Sequence, residues 1–275
     1  MNSKIIVKKI TKVKKGNQMK IKSLLIASLL GLGLNLNALE IISVAATPVP
    51  HAEILEQIKP DLEKEGYKLE IKEFTDYVLP NLATDNGEVD ANFFQHIPYL
   101  EEFNKNQGTK LVKVASVHIE PMAVYSKRYK NFNDIKEGIS IAIPNDPTNE
   151  SRALDIIAKA GLASFNDNAL KTPLDIVDNP KKIKFAELKP AQLPRALDDA
   201  DFAIINSNYA LSANLNPVKD SVFIEDKESP YVNVLVVKEG NENSPKTKAL
   251  IKAIQSDKVK KFILEKYNGS VIPAF

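Results

Sequence analysis

One arginine near the middle of the chain stands in a setting that could bind an anion. Arg152 follows the run NDPTN at residues 145–149, which is typical of the start of a helix, so we expect Arg152 in or near the first turn. Free N–H groups there attract anions, and a guanidinium can add two parallel hydrogen bonds to a carboxylate. The segment predicts a carboxylate site, with Asn145 and Asn149 as secondary candidates. A surface salt bridge of Arg152 is the alternative.

Two asparagines occupy apolar surroundings where a polar amide needs a partner. Asn206 ends the buried run 202–205, and Asn233 interrupts the apolar segment 231–237. Buried polar groups are hydrogen-bonded, and an amide offers both a carbonyl acceptor and an N–H₂ donor. Each asparagine could therefore offer a carbonyl to an ammonium group and an N–H₂ to a carboxylate. Bonding to the backbone at a strand end is the alternative for both.

Four rings could line a pocket for an apolar side chain: Tyr77, Phe94, His96 and Tyr99. Phe93 and Phe94 are neighbours in a predicted strand, so their side chains should point to opposite faces, one to the core and one to a cleft. The alternative is that all of these rings belong to the core, with His96 bonded to backbone at the start of a helix.

The residue types exclude several kinds of catalytic and metal chemistry. The chain has no cysteine and three histidines, His51, His96 and His118. It therefore has no disulfide and no thiolate nucleophile, and the histidines lack a short metal-ligand spacing. Walker, G-x-S-x-G and H-E-x-x-H motifs are also missing. We expect no catalytic residue, no cofactor and no metal; metal capture by the three histidines and an unrecognised enzyme site are the remote alternatives.

The basic charge is concentrated at the N-terminus. The formal net charge is +2, but residues 1–38 hold eight lysines and no acid, which leaves 29 basic and 35 acidic residues in the remainder. An acidic body argues against nucleic-acid binding. Residues 24–34 (LLIASLLGLGL) are apolar, are preceded by Lys20 and Lys22, and are too short for a membrane span of about 20 residues.

This order of segments predicts a cleaved secretory signal peptide over residues 1–38, ending at Ala38. Residues 19–38 would suffice for export, so residues 1–18 are interpreted as an upstream mis-start, with a basic arm or a membrane anchor as the alternative. Periplasmic localisation is expected.

Strand-like and helix-like patterns alternate through the rest of the chain, which predicts an α/β fold with mainly parallel sheets. Predicted strands cover residues 40–46, 67–74, 89–93, 110–117, 121–126, 139–143, 201–205 and 231–237. Predicted helices cover residues 51–65, 96–106, 149–160, 192–199, 244–255 and 257–267.

Several long motifs resemble one known family. They are TPVPHAEIL (47–55), FTDYVLPN (74–81), DANFFQHIPYL (90–100), IPNDPTNESRAL (143–154), AQLPRALDDADFAIINSNYA (191–210) and EDKESPYVNVLV (225–236). Together they make the chain similar, over residues 40–275, to the MetQ/NlpA family of methionine-binding components of bacterial ABC importers.

The resemblance implies a type II-like periplasmic-binding-protein fold with two lobes, a hinge and a ligand cleft. Lobe one would comprise residues 39–122 and 232–275, and lobe two residues 123–231. It also implies that Arg152 binds the ligand carboxylate, that Asn206 and Asn233 contact the ligand, and that Phe94 rather than Phe93 faces the cleft. The expected protein is a monomer that delivers methionine, most simply L-methionine, to a permease with ATPase subunits.

One departure from the family concerns the lipid anchor. Many members carry a cysteine directly after the signal peptide, whereas residues 35–39 here read NLNAL. A lipid anchor is therefore not expected. D-methionine, a methionine dipeptide or another amino acid remain alternative ligands, and an exported surface protein with a vestigial cleft is a further alternative.

Overall fold

The computed structural model describes residues 38–131, 135–226 and 229–275. The expected signal peptide lies outside the described residues except for Ala38. Residues Leu39–Phe275 form one compact unit. Within the described residues no helix has both the length and the apolar character needed to cross a membrane.

The first sheet has six strands in the order β2-β1-β3-β12-β4-β13. Its strands are β1 (Glu40–Ala46), β2 (Tyr67–Glu73), β3 (Ala91–His96), β4 (Leu111–Ile119), β12 (Val232–Lys238) and β13 (Ile272–Pro273). β1 pairs in parallel with β2 and β3, whereas the other three pairings are antiparallel.

The second sheet has five strands in the order β9-β6-β10-β5-β11. Its strands are β5 (Ala123–Tyr125), β6 (Ser140–Pro144), β9 (Lys184–Leu188), β10 (Phe202–Ile205) and β11 (Phe223–Ile224). Two pairings are parallel and two are antiparallel. A separate antiparallel pair joins β7 (Ser164–Phe165) to β8 (Ile176–Asp178).

Both sheets are mixed, so the expectation of mainly parallel sheets is wrong. A parallel pair needs a crossover of a dozen or more residues, usually through a helix. The chain instead leaves the first sheet after β4, enters the second sheet directly as β5, and returns as β12 between β3 and β4. The returning strand β12 forms two of the three antiparallel pairings in the first sheet, and β5 forms both of those in the second.

Helices cover the sheets and complete the apolar cores. They are α1 (Glu53–Lys64), α2 (Leu79–Asp85), α3 (Ile97–Gln107), α4 (Pro147–Lys159), α5 (Leu193–Ala196), α6 (Ser207–Ser212), α7 (Pro245–Ile254) and α8 (Asp257–Tyr267). α1, α7 and α8 pack on the first sheet around Ile42, Leu235 and Ile263. α4 packs on the second sheet through Leu154 and Ile157.

Most predicted elements are present, with shifted ends. The helix expected over residues 192–199 is reduced to the single turn α5, which follows a 3₁₀ turn at Pro190–Gln192. α2 and α6 were not predicted, because they are short and lack a repeating apolar pattern. α4 begins at Pro147, two residues earlier than expected, and this shift changes the position of Arg152 on the helix.

Candidate functional site

A small cavity with both polar and aromatic lining residues lies between the two sheets. All seven primary candidates from the sequence line it, and so does Asn149: they are Tyr77, Phe94, His96, Tyr99, Arg152, Asn206 and Asn233. Asn145 does not line this cavity; it lines a neighbouring cleft beside Tyr77 and Tyr99. Five further residues, which are not among the primary candidates, also line the cavity: His51, Gln95, Glu120, Ser207 and Asn208.

Strand ends and helix starts position these side chains. Phe94 and His96 come from the last residues of β3, and Tyr99 from the first turn of α3. Asn206 lies directly between β10 and α6, and Asn233 is the second residue of β12. Chain segments of both sheets therefore contribute polar groups to one enclosed space.

Arg152 lies in the second turn of α4, directly after the first turn near which it was expected. Asp146 caps the helix by accepting a hydrogen bond from the Asn149 N–H at 3.1 Å, and Pro147 occupies the first helical position. An Asp cap followed by Pro is a preferred helix start, and it places Arg152 at the sixth helical residue. Arg152 is therefore not itself part of the first turn, whose free N–H groups can bind an anion directly.

Arg152 is 3% exposed, and part of its guanidinium group is hydrogen-bonded within the protein. Its Nε donates to Glu225 Oε1 at 3.1 Å, and Nη2 donates both to the second Glu225 oxygen and to the Glu120 carbonyl, the latter at 2.8 Å. The guanidinium carbon lies 4.0 Å from the centre of the Tyr231 ring. Nη1 makes no hydrogen bond with the described residues and remains available for a ligand.

The asparagines contribute acceptors and donors to the same cavity. Asn206 Nδ2 donates to Asn149 Oδ1 at 2.7 Å, while Asn206 Oδ1 is buried and has no hydrogen-bond partner among the described residues. A buried acceptor without a partner is rare and costs free energy. Asn233 Oδ1 lies 3.2 Å from His51 Nε2.

Tyr77, Phe94 and Tyr99 form an aromatic cluster, with ring centres 5.8–6.1 Å apart. The Tyr77 hydroxyl donates to Asn208 Oδ1 at 2.6 Å, and the Tyr99 hydroxyl donates to the Tyr77 carbonyl at 3.0 Å. Phe93 packs in the core of the first sheet while Phe94 belongs to this cluster, as alternation along a strand requires.

His96 both lines the cavity and bonds to the backbone at the start of a helix. Its Nδ1 accepts the Tyr99 backbone N–H at 3.1 Å and thereby caps α3. Nε2 must then carry the proton and donate to Asn149 Oδ1 at 3.2 Å. Burial, together with the Arg152 charge, lowers the pKa of His96 to about 3, so the ring is neutral at pH 7.

A second buried cluster, made of His51, His118 and Glu120, adjoins the cavity. Glu120 Oε1 lies 2.7 Å from His118 Nε2 and 3.3 Å from His51 Nε2. One ligand atom from each residue falls within 4.8 Å of the others, close enough to hold a metal ion. The sequence spacing had not indicated this proximity. The one local signal was an acidic residue directly after the largely apolar run 111–119.

Burial controls the protonation of this cluster. It lowers the pKa of His51 to about 4 and that of His118 to about 3, so both rings are neutral at pH 7. Burial raises the pKa of Glu120, against the opposing effects of His51 and Arg152. The cluster therefore combines two neutral imidazoles with one acidic side chain.

Two α/β sheets with a polar cavity between them are an arrangement that occurs in periplasmic binding proteins, whose two lobes close around a ligand. The sequence model of the NlpA lipoprotein family matches residues 42–275. The "D-methionine-binding lipoprotein MetQ" of Salmonella typhi is 46% identical over 214 residues, which cover 76% of this chain and 79% of the relative. The "methionine-binding lipoprotein MetQ" of Bacillus subtilis is 42% identical over 239 residues, covering 84% and 87%.

Solved structures agree with the sequence comparison. A nutrient binding protein from Burkholderia cenocepacia bound to methionine superposes with a TM-score of 0.83 at 43% identity, covering 85% of this chain and 100% of that one. The chain belongs to the NlpA lipoprotein family. The family resemblance and the two-lobed α/β fold class expected from the sequence are thereby confirmed.

Proposed function

We propose that this protein captures methionine, most simply L-methionine, in the cavity between the sheets and delivers it to an ABC importer. The observation that carries this proposal is a pair of polar groups without partners in a cavity that an aromatic cluster also lines. Arg152 Nη1 and Asn206 Oδ1 are both without partners among the described residues. Relatives named for binding methionine supply the ligand class.

The proposed pose places each part of the amino acid against a complementary group. The carboxylate would bind Arg152 through Nη1, since a buried guanidinium and a carboxylate form strong charge-assisted hydrogen bonds. The ammonium would donate to Asn206 Oδ1, and Asn233 would contribute from β12. The thioether would pack against Tyr77, Phe94 and Tyr99, because sulfur–aromatic contacts stabilise by about 0.3–1.5 kcal/mol each.

Ligand capture would proceed by closure of two lobes, for which we propose the limits 39–122 plus 232–275 and 123–231. Contacts already join these segments. His96 donates to Asn149, the Tyr77 hydroxyl donates to Asn208, and the Tyr209 hydroxyl donates to the Thr75 carbonyl at 2.9 Å. A ligand held from both sides would add to these contacts and favour the closed state.

We further propose a monomer exported to the periplasm by residues 1–38 and released after Ala38. The sequence contains no cysteine on which a thioether-linked lipid could form. The proposed role is binding without chemical change, with a membrane permease and its ATPase subunits as partners. Mass spectrometry of the mature protein would test the cleavage site and the absence of acylation.

Calorimetric titration of protein starting at Leu39 tests the ligand. The protein should be unfolded and refolded first so that any copurified amino acid is removed. We expect saturable binding of L-methionine, unchanged methionine on recovery, and a melting temperature that rises with ligand concentration. Stronger binding of D-methionine or a methionine dipeptide would reassign the ligand within the class. No binding of any methionine species would refute the proposal.

A further inference from the structure

We infer that Asn149 is a positioning residue that fixes the orientation of the Asn206 amide, so that Asn206 offers the ligand a carbonyl acceptor and not an N–H₂ donor. The inference rests on the proposed function and deepens it, because it names the group that selects a ligand donor at this point of the cavity. Turning an amide by half a rotation exchanges its acceptor and its donor with almost no change of shape. Another group must therefore decide which of the two is presented.

The first constraint on the orientation comes from the start of α4. The Asn149 backbone N–H can only donate, and it donates to Asp146 Oδ1 at 3.1 Å. Burial raises the pKa of Asp146, but a proton taken up by this carboxyl group would bind Oδ2, which has no partner among the described residues. Oδ1 is therefore an acceptor. The Asn149 side chain approaches the same oxygen at 2.9 Å and must do so with Nδ2.

A second, independent constraint comes from the start of α3. The Tyr99 backbone N–H donates to His96 Nδ1 at 3.1 Å, so the hydrogen of the neutral ring is on Nε2. Nε2 lies 3.2 Å from Asn149 Oδ1 and donates to it. The two helix starts, one in each proposed lobe, thus require the same orientation of the Asn149 amide.

Asn149 passes this orientation on to Asn206. Because Asn149 Oδ1 is an acceptor, the Asn206 atom that lies 2.7 Å from it must be the donor Nδ2. Asn206 Oδ1 is then left over, buried and without a partner among the described residues, in a side chain that lines the cavity. A reversed Asn206 amide would bring two carbonyl oxygens together, which repel each other and are left unbonded at a cost in free energy.

The fixed orientation predicts how the cavity discriminates between two ligands of similar shape. Methionine carries an ammonium donor at its α-carbon. The oxo acid 4-methylthio-2-oxobutanoate carries a carbonyl acceptor there and keeps the carboxylate and the thioether. A buried polar group left unpaired changes an affinity by about 5-fold to 150-fold. The orientation of Asn206 should therefore contribute at least about fivefold to a preference for methionine.

The decisive experiment is a double-mutant cycle of Asn149→Leu and Asn206→Asp, in which calorimetry measures the affinities for methionine and the oxo acid. Asn149→Leu conserves shape and removes the acceptor that orients Asn206, whereas Asn206→Asp offers an acceptor oxygen in either orientation. We expect Asn149→Leu to reduce the preference for methionine at least about fivefold when Asn206 is present. In the Asn206→Asp background the reduction should be less than about twofold.

Thermal melts check that the four proteins of this cycle are folded. Equal reductions in both backgrounds would overturn the inference, because they would indicate that Asn149 contacts the ligand directly or only supports the fold. An unchanged preference in folded Asn149→Leu would overturn it as well.

Neutron diffraction from wild-type crystals exchanged into D₂O decides the question if a variant does not fold. It should locate deuterium on His96 Nε2 and on the Asn206 atom that faces Asn149. Deuterium on the other Asn206 side-chain atom would overturn the inference. Failure of the wild type to bind methionine in the calorimeter would instead refute the proposed function, and the neutron result would still test the orientation of both amides.

Discussion

Replacing Arg152 tests the central contact of the proposed site, but the simple Ala variant would disturb two things at once. Arg152→Ala would remove the expected carboxylate partner of the ligand. It would also leave Glu225, whose side chain is 8% exposed, without its cationic partner. Breaking a buried ion pair by removing one partner destabilises a protein by about 3–5 kcal/mol. Loss of the contact with Tyr231 adds about 0.5–2 kcal/mol.

The effect on binding can be separated from the effect on stability. Glu225→Gln conserves an acceptor for Arg152 and removes the charge that would be left unpaired. We therefore compare Arg152→Ala/Glu225→Gln with Glu225→Gln alone. The difference in binding free energy should be about 2–5 kcal/mol, which corresponds to a dissociation constant raised about 30-fold to 5,000-fold. The double variant should also be more stable than Arg152→Ala.

Isothermal titration calorimetry with methionine measures this difference, and a thermal melt of each variant confirms that the compared proteins are folded. Arg152→Lys/Glu225→Gln adds a finer control, since lysine retains the charge and lacks the planar fork. It should recover part of the lost affinity. If the folded double variant binds methionine within about threefold of Glu225→Gln, Arg152 does not bind the carboxylate and the proposed pose is wrong.

Three other predictions address the asparagine, the aromatic cluster and the buried histidines. Asn233→Ala should retain the fold and lower methionine affinity by calorimetry, because Asn233 approaches His51 in the cavity wall; an unfolded circular dichroism spectrum would indicate a structural amide instead. Phe94→Leu should weaken methionine binding, whereas Phe93→Leu, its matched control in the core, should mainly lower the melting temperature; equal losses of affinity would contradict this assignment. The free energy of unfolding should fall between pH 7 and pH 5. The three histidines have folded pKa values of about 3–4 and stay neutral, while the unfolded chain takes up protons below about 6.5, at a cost of up to about 2 kcal/mol per histidine at pH 5. Burial raises the pKa of Glu150 to about 7 and opposes this trend, so a flat stability profile from urea titrations over this range would refute the buried neutral state of the histidines if the Glu150→Gln variant is flat as well.

Local patterns predicted the elements that are long and regular. The strand at Glu40–Ala46 and the helix at Asp257–Tyr267 have the predicted ends, because apolar periodicity and neighbouring polar residues mark them. The start of α4 was placed two residues late, since the cap is made by Asp146 and the helix begins at Pro147. That small error moved Arg152 by about half a turn and changed the interpretation of its surroundings.

The sequence by itself determined the class of fold, the family and most of the residues that line the cavity. Asn206 and Asn233 were recognisable because amide side chains are costly in apolar surroundings unless they are bonded, and Arg152 because it follows a helix-start pattern. Their expected roles came from the resemblance to the family motifs, because members of a family share a fold and therefore a similar arrangement of these residues. The family resemblance also selected Phe94 rather than Phe93 as the residue that faces the cleft. The alternation of side chains along a strand shows only that the two rings point to opposite faces.

Only the tertiary structure decided which distant residues meet. The insertion of β12 between β3 and β4 places Asn233 opposite both His96 and His118, although the chain separates β12 from β4 by the whole second sheet. The same arrangement brings His51 to Glu120, which lies 69 positions further along the chain. Strand order and register depend on which surfaces pack together across the whole domain. A short window of sequence therefore does not indicate them.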